Sequence, residues 1–115
     1  MEFNHLVVQS SFPDEAAART AAQTLVTERL AACAQIWPCR SVFRWNGAVQ
    51  EESEVLLQLK TVAGCWPRLE ARIRLLHPYQ VPEIIALPIV AGSTDYVKWL
   101  EAETGDERDA ATQDP

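Results

Sequence analysis

The chain has 115 residues and a net charge of −6. Its hydrophobic share of 48% excludes a disordered chain, and its length suits one packed domain. No basic stripe indicates nucleic-acid binding, and no apolar run approaches the ~20 residues that span a membrane. The acidity is concentrated in residues 101–115, which carry a net charge of −5 and say little about partners of the folded body. Three cysteines do not make a disulfide framework. With no secretory signal pattern, we expect a cytoplasmic protein without nucleic-acid or membrane partners.

The first residues predict a strand followed by a helix. Residues 3–12 read as a strand that Pro13 ends. Asp14 is a good helix N-cap, and apolar residues recur at helical spacing after it. We therefore predict a helix over residues 15–31.

A long β-hairpin is predicted over residues 33–61, with its turn at Asn46-Gly47. Asn-Gly favours a two-residue type I′ turn because both central residues need positive φ. That turn fixes the register and places Trp37 opposite Leu56. The first strand would be about 43 Å long at 3.3 Å per residue, against a radius of gyration of about 13 Å for a compact chain of this size. The hairpin tip should therefore overhang the domain.

Large aromatic residues lie along this hairpin. Trp37, Phe43 and Trp45 belong to its first strand, and exposed aromatics on a ribbon usually mark a contact surface. We interpret these three residues as contacts between copies of the chain in an oligomer.

The tip also carries charged residues of both signs, namely Arg40, Arg44, Glu51, Glu52 and Glu54. We interpret them as cross-strand ion pairs rather than as paired catalytic carboxylates. No cysteine has a catalytic signature around it, and the four glycines form no phosphate-binding loop. The sequence therefore predicts a protein that is not an enzyme.

The second half of the chain predicts a helix over residues 64–77, a strand over 83–90 and a third helix that Gly105 ends. We expect residues 1–105 to form a single domain. Residues 106–115 are acidic and lack large apolar groups, so they are predicted to be a disordered tail.

The order β-α-β-β-α-β with an added C-terminal helix predicts an α+β fold of the ferredoxin-like, split-βαβ class. Its sheet order is 4-1-3-2, so strands 2 and 4 lie at the edges. Proline is confined to sheet edges and bulges, and Pro38 and Pro88 fall in these two strands. Both edges are available for pairing with another subunit.

A polar segment follows the second predicted helix and runs from His77 to Glu83. A neutral imidazole is a common metal ligand, and Tyr79 or Glu83 could lie nearby. No second histidine occurs at a ligand-like spacing. The alternative is that His77 interacts with the last carbonyls of the helix and with its dipole.

Several motifs occur together between residues 6 and 103: Pro13-Asp14-Glu15-Ala16, Arg29-Leu30-Ala31-Ala32-Cys33, His77-Pro78-Tyr79-Gln80-Val81-Pro82-Glu83-Ile84 and Tyr96-Val97-Lys98-Trp99-Leu100. With these motifs the chain resembles the CutA divalent-cation tolerance family. The resemblance implies a ferredoxin-like fold and a very stable homotrimer, similar in architecture to PII signalling proteins. It also implies a role in tolerance of copper and other divalent metals.

Two positions depart from the bacterial members that are linked to copper. Those members have a cysteine at the end of the first strand and two adjacent histidines before the Pro-Tyr, where this chain has Ser10 and Leu76-His77. The resemblance therefore leaves His77 as the metal ligand that carries over, and we expect copper binding to be weak.

Two functions stay open from the sequence. The first is a homotrimer that binds a divalent cation such as copper, or a small ligand, weakly in a cleft between subunits. Lys60, Tyr79 and Glu83 are candidates to line that cleft. The second is a metal-independent trimeric scaffold or PII-like regulatory protein that binds another protein.

Overall fold

The structure, a computed structural model, describes residues 3–105, and the tail predicted over residues 106–115 lies outside this range. The elements in chain order are β1 (His5–Phe12), α1 (Glu15–Thr27), β2 (Cys33–Trp45), β3 (Ala48–Val62), a 3₁₀ turn (Ala63–Cys65), α2 (Trp66–Leu76), β4 (Ile85–Pro88) and α3 (Thr94–Glu103). The α+β class is confirmed.

The four strands form one sheet in the order β2-β3-β1-β4, and every neighbouring pair is antiparallel. This strand order is the one that the sequence predicts. Pro38 lies in the outer strand β2 and Pro88 in the outer strand β4, where a missing backbone N–H costs no inner hydrogen bond.

The hairpin of β2 and β3 turns at Asn46-Gly47, whose φ angles are 50° and 77°. Trp45 pairs with Ala48, so the predicted register is confirmed. Because β1 pairs with β3 only as far as Val55, the rest of the hairpin extends past the sheet. The described chain accordingly measures 55 × 26 × 22 Å. The predicted overhang is confirmed.

The two faces of the sheet differ in what covers them. One face packs against α1 and α2 in a core that contains Leu6, Val8, Phe12, Leu25, Leu57, Leu59, Leu69 and Ile73. Strand alternation sends the intervening side chains to the opposite face. There Trp37, Ile85 and Leu87 are 40%, 44% and 43% exposed. We call this surface the open face.

Helix α1 ends at Thr27, one turn earlier than predicted. The N–H of Leu30 donates to the carbonyl of Leu25 at 3.0 Å, and the N–H of Arg29 donates to that of Val26 at 3.0 Å. This is the Schellman arrangement, in which the reversing residue is usually glycine. Here Arg29 takes that position with φ of 61°. The sequence therefore contains no glycine that would mark the helix end.

The other boundaries differ by small amounts. β1 begins at His5, and α2 begins at Trp66. β4 is shorter than predicted because it pairs with β1 only from Ile85 to Pro88. Among the helices of residues 3–105, none is long and apolar enough to cross a membrane.

Candidate functional site

A cleft of about 820 Å³ opens between the overhanging hairpin and the connector that follows α2. Its lining includes three aromatic rings and three carboxylates, from Phe43, Trp45, Tyr79, Glu52, Glu54 and Glu83. We call it the hairpin cleft. It forms because alternate side chains of the hairpin point to the same side, towards the returning connector.

Two of the three residues predicted to line a cleft meet in the hairpin cleft. Tyr79 and Glu83 both belong to its lining. Lys60 lies outside it, where its ammonium donates a hydrogen bond to the side-chain carbonyl of Gln35. Within one chain, Lys60 is therefore apart from the other two residues, and the predicted cleft between subunits stays a prediction.

The three predicted contact aromatics point to one side of β2, because they are separated by even numbers of residues in one uninterrupted strand. Phe43 and Trp45 line the hairpin cleft. Trp37 is a member of the open face and is opposite Leu56. All three are at least partly accessible in the single chain.

The environment of Glu54 differs from the exposed hairpin position that the sequence predicts. Glu54 is only 7% exposed, and the phenol of Tyr79 donates to its Oε2 at 2.7 Å. Burial raises the pKa of Tyr79, and the hydrogen bond to Glu54 and the negative charges of Glu54, Glu52 and Asp14 raise it further. The phenol of Tyr79 therefore stays protonated and acts as the hydrogen-bond donor.

The predicted ion pairs across the hairpin tip are wrong. The register places Ser53 opposite Arg40, Val49 opposite Arg44 and Cys39 opposite Glu54. Within residues 3–105, no ion pair joins either tip arginine to the glutamates of β3. The cause is the strict register, which puts each charge opposite a neutral side chain. Glu54 instead accepts a hydrogen bond from Tyr79 of the connector.

His77 is buried, and its ring stacks on Phe12 with centroids 4.3 Å apart. Its Nε2 lies 2.8 Å from the carbonyl of Ser11, and the N–H of Tyr79 donates to its Nδ1 at 3.2 Å. Because a carbonyl only accepts and an N–H only donates, these contacts place the proton on Nε2. Burial lowers the pKa of His77, against the opposing effects of Ser11 and Glu54. The ring of His77 is therefore neutral, and both of its nitrogens take part in hydrogen bonds within the chain.

These contacts bear on whether a metal ion fits. The Nδ1 lone pair of His77, the only one that its neutral ring offers, already accepts a hydrogen bond. Nε2 of His5 donates to a carboxylate oxygen of Glu101 at 2.7 Å. Ser10 is fully buried on the core side of β1, and its Oγ has no hydrogen-bond partner within the described residues. Over residues 3–105, no three His, Cys, Asp or Glu side chains converge to hold a metal ion. This donor set does not fit a tight copper site.

Glu52 and Glu54 were not predicted as part of a site. Their places on β3 could have been found from the register, because Glu54 and Leu56 alternate onto the same side of the sheet. What no local pattern reveals is that the connector after α2 returns over them.

The chain is similar to proteins of one known family. The family model described as CutA1 divalent ion tolerance protein matches residues 6–103. The chain belongs to the CutA1 family. The family resemblance seen in the motifs is thereby confirmed. CutA1 is not a known enzyme family, while the absence of enzymatic activity in this chain stays a prediction.

Individual CutA1 relatives cover most of the chain. The divalent-cation tolerance protein CutA of Thermus thermophilus is 50% identical over 100 residues, which are 86% of this chain and 97% of that protein. Human Protein CutA is 39% identical over 101 residues, which are 87% of this chain and 56% of the human protein.

Solved CutA1 structures have the same fold. The structure of the divalent cation tolerance protein from Thermus thermophilus superposes with a TM-score of 0.85 and 49% identity, covering 88% of this chain and 99% of that one. The structure from Archaeoglobus fulgidus, described as a periplasmic divalent cation tolerance protein, gives a TM-score of 0.82 with 28% identity and covers 84% of this chain and 94% of that one.

Proposed function

We propose that the chain works as a homotrimer with ferredoxin-like topology. Three features support this assembly: an open sheet face with exposed Trp37, Ile85 and Leu87, two unpaired sheet edges within residues 3–105, and a hairpin that reaches beyond its own domain. A contact surface of this kind is buried when copies of the chain pack together.

Light scattering at micromolar concentration tests the assembly. The expected mass is about three times the 12.9 kDa of the chain. Trp37→Asp should lower that mass because it puts a charge on the open face. Trp99→Asp, a change of an exposed tryptophan on α3, is the matched control. A monomer for the unaltered chain would contradict the proposal.

We propose further that the role of this trimer in divalent-cation tolerance does not depend on a tight copper site. The observation that carries this is the pair of hydrogen bonds at His77, which engage both ring nitrogens within the chain. Divalent cations would meet only separated carboxylates and bind weakly. The trimer then acts as a scaffold or PII-like regulatory surface that binds another protein.

Calorimetric titration with Cu²⁺ at neutral pH tests this role. The native protein should bind weakly, and His77→Gln, which keeps a donor for the Ser11 carbonyl, should bind equally. His5→Gln is the matched control, since His5 is the other histidine of the chain. Tight stoichiometric binding that His77→Gln abolishes and His5→Gln retains would restore the metal-binding function.

We also propose that residues 1–105 are one domain with residues 106–115 as its tail, and that the protein acts in the cytoplasm. Free cysteines at positions 33, 39 and 65 support a reducing compartment. Cell fractionation that found the protein in an oxidising compartment would contradict the location.

A further inference from the structure

We propose that the exposed face of α2 binds an acidic segment of a partner protein, in which carboxylates flank an apolar side chain. We call this surface the arginine face, and it consists of Arg68, Ala71, Arg74 and Leu75. The inference rests on the scaffold role proposed above, because it names the surface through which the trimer would bind another protein.

The arginine face stays accessible when copies of the chain pack together. α2 buries Leu69 and Ile73 in the core, on the side of the sheet opposite the open face. Residues at positions i, i+3 and i+7 share one stripe of a helix, so Arg68, Ala71 and Leu75 point away from that core. An assembly through the open face, the sheet edges and the hairpin leaves this stripe in solvent.

The charge of α2 selects an acidic partner. Three arginines and one glutamate give α2 a net charge of +2, whereas the whole chain has −6, so the rest of the chain carries −8. Within residues 3–105, Arg68 makes no ion pair. Arg74 makes an exposed pair with Glu70 at 3.6 Å, which is weak enough to exchange for a carboxylate of a partner. The guanidinium fork suits such a carboxylate because it can donate two parallel hydrogen bonds.

The neighbouring Arg72 is engaged within the chain and is therefore not part of the arginine face. Its Nε and Nη2 donate to the two carboxylate oxygens of Glu28, each at 2.9 Å. This pair joins α2 to the end of α1. Arg68 and Arg74 are thus the two arginines of α2 that a partner can reach without breaking a bidentate pair.

Leu75 selects a partner segment that also has an apolar side chain. It is 78% exposed, and Ala71, one turn before it on the same stripe, is too small to cover it. An apolar residue of the partner would remove both from water. Residues 106–115 of the chain are acidic but include no large apolar residue. A nucleic-acid backbone likewise offers phosphates without such a side chain, so neither matches the whole face.

Fluorescence anisotropy with a labelled peptide tests the proposal on the full chain. The probe has a central leucine with three glutamates on either side, and two matched peptides replace the leucine by serine or the glutamates by lysines. The probe should bind at least about fivefold more tightly than the serine peptide, because its leucine is buried on binding. The lysine peptide should not bind. Added salt should weaken binding of the probe, because the arginines are exposed.

Two variants locate the site. Arg68→Gln and Leu75→Ser should each weaken binding of the probe by about threefold to tenfold. Arg19→Gln is the matched control, because Arg19 is an exposed arginine of α1, and it should leave the affinity unchanged. All three positions are exposed, so the variants should keep the fold.

Equal losses in Arg68→Gln and Arg19→Gln would overturn the inference, as would an unchanged affinity in Leu75→Ser. A chain that ends at Gly105 should bind the probe within about threefold of the full chain. A larger gain would mean that residues 106–115 occupy the arginine face, and it would overturn the assignment to a partner protein.

Two further outcomes would decide against the acidic segment. Single-stranded oligothymidylate that binds more tightly than the probe, with a loss in Arg68→Gln, would assign the face to nucleic acid. Absence of probe binding at millimolar concentration would refute the arginine face as a binding site and leave the scaffold role intact. That role is refuted separately, by tight copper binding that His77→Gln abolishes.

Discussion

Arg29 and Gly105, at the ends of α1 and α3, bind each other through two reciprocal hydrogen bonds. The N–H of Gly105 donates to the carbonyl of Arg29 at 2.8 Å, and Nε of Arg29 donates to the carbonyl of Gly105 at 2.9 Å. Nη2 of Arg29 also donates to the carbonyl of Ala102 at 2.8 Å. One guanidinium therefore satisfies carbonyls that the end of α3 leaves free.

Arg29→Ala should lower the free energy of unfolding by about 2 kcal/mol, because it removes charge-assisted bonds and keeps a positive φ. Arg29→Gly should lose less, since glycine adopts positive φ without steric cost. Arg19→Ala is the control, because Arg19 makes an exposed pair with Glu15 in the same helix. Guanidinium unfolding curves measure all three, and equal losses for Arg29→Ala and Arg19→Ala would contradict the capping role.

His77 should make the stability depend on pH in the mildly acidic range. Burial holds its pKa in the folded protein below the usual value of 6.5. Below pH 6.5 the unfolded chain therefore takes up the proton first, so the free energy of unfolding falls as pH is lowered, until the folded form is protonated too. Protonation also removes the Nδ1 acceptor of the Tyr79 N–H.

Unfolding curves across this pH range check the prediction. His77→Gln should flatten the decline, and His5→Gln should retain it. A decline of unchanged slope in His77→Gln would mean that other groups cause the pH dependence.

Tyr79→Phe should destabilise the protein by about 1–3 kcal/mol, because the buried carboxylate of Glu54 loses its phenol donor. Glu54→Gln in the same chain should recover part of this loss, since a neutral amide is less costly to leave without that donor. A double-mutant cycle by chemical unfolding measures the coupling. Strictly additive losses would show that the two side chains do not stabilise each other.

Ser10→Ala should leave the stability unchanged or raise it by about 1 kcal/mol. The Oγ of Ser10 is buried without a partner among the described residues, so its removal eliminates an unsatisfied polar group. Ser11→Ala, at the next and half-buried position, should change little. A thermal unfolding midpoint that drops for Ser10→Ala but not for Ser11→Ala would reveal a hydrogen bond to that hydroxyl.

The hairpin and the strand order could be predicted because short-range chemistry determines them. Asn46-Gly47 admits the positive φ that a two-residue turn needs, and the turn alone fixes the register. Pro38 and Pro88 exclude their strands from the centre of the sheet. Both signals are contained in a few adjacent residues.

The environments of Glu54 and Arg29 and the hairpin cleft could not be predicted, because they depend on contacts between distant parts of the chain. Glu54 looks exposed until Tyr79 returns over it, and Arg29 looks like a surface helical residue until Gly105 arrives beside it. No pattern in the neighbouring residues of the sequence indicates either contact. The hairpin cleft is likewise made by two segments that are remote in sequence, so only its members could be suggested.

The prolines of the two outer strands also bear on how the sheet avoids uncontrolled growth. Each outer edge presents backbone groups to which a foreign strand could add, as in aggregation. Pro38 has no N–H to offer, so a strand pairing along β2 would meet an interruption there, and Pro88 acts likewise at the end of β4. A strand from another copy can pair with either edge without meeting Pro38 or Pro88 only if its length and register match the rest of that edge. This requirement favours a closed assembly over an open fibre.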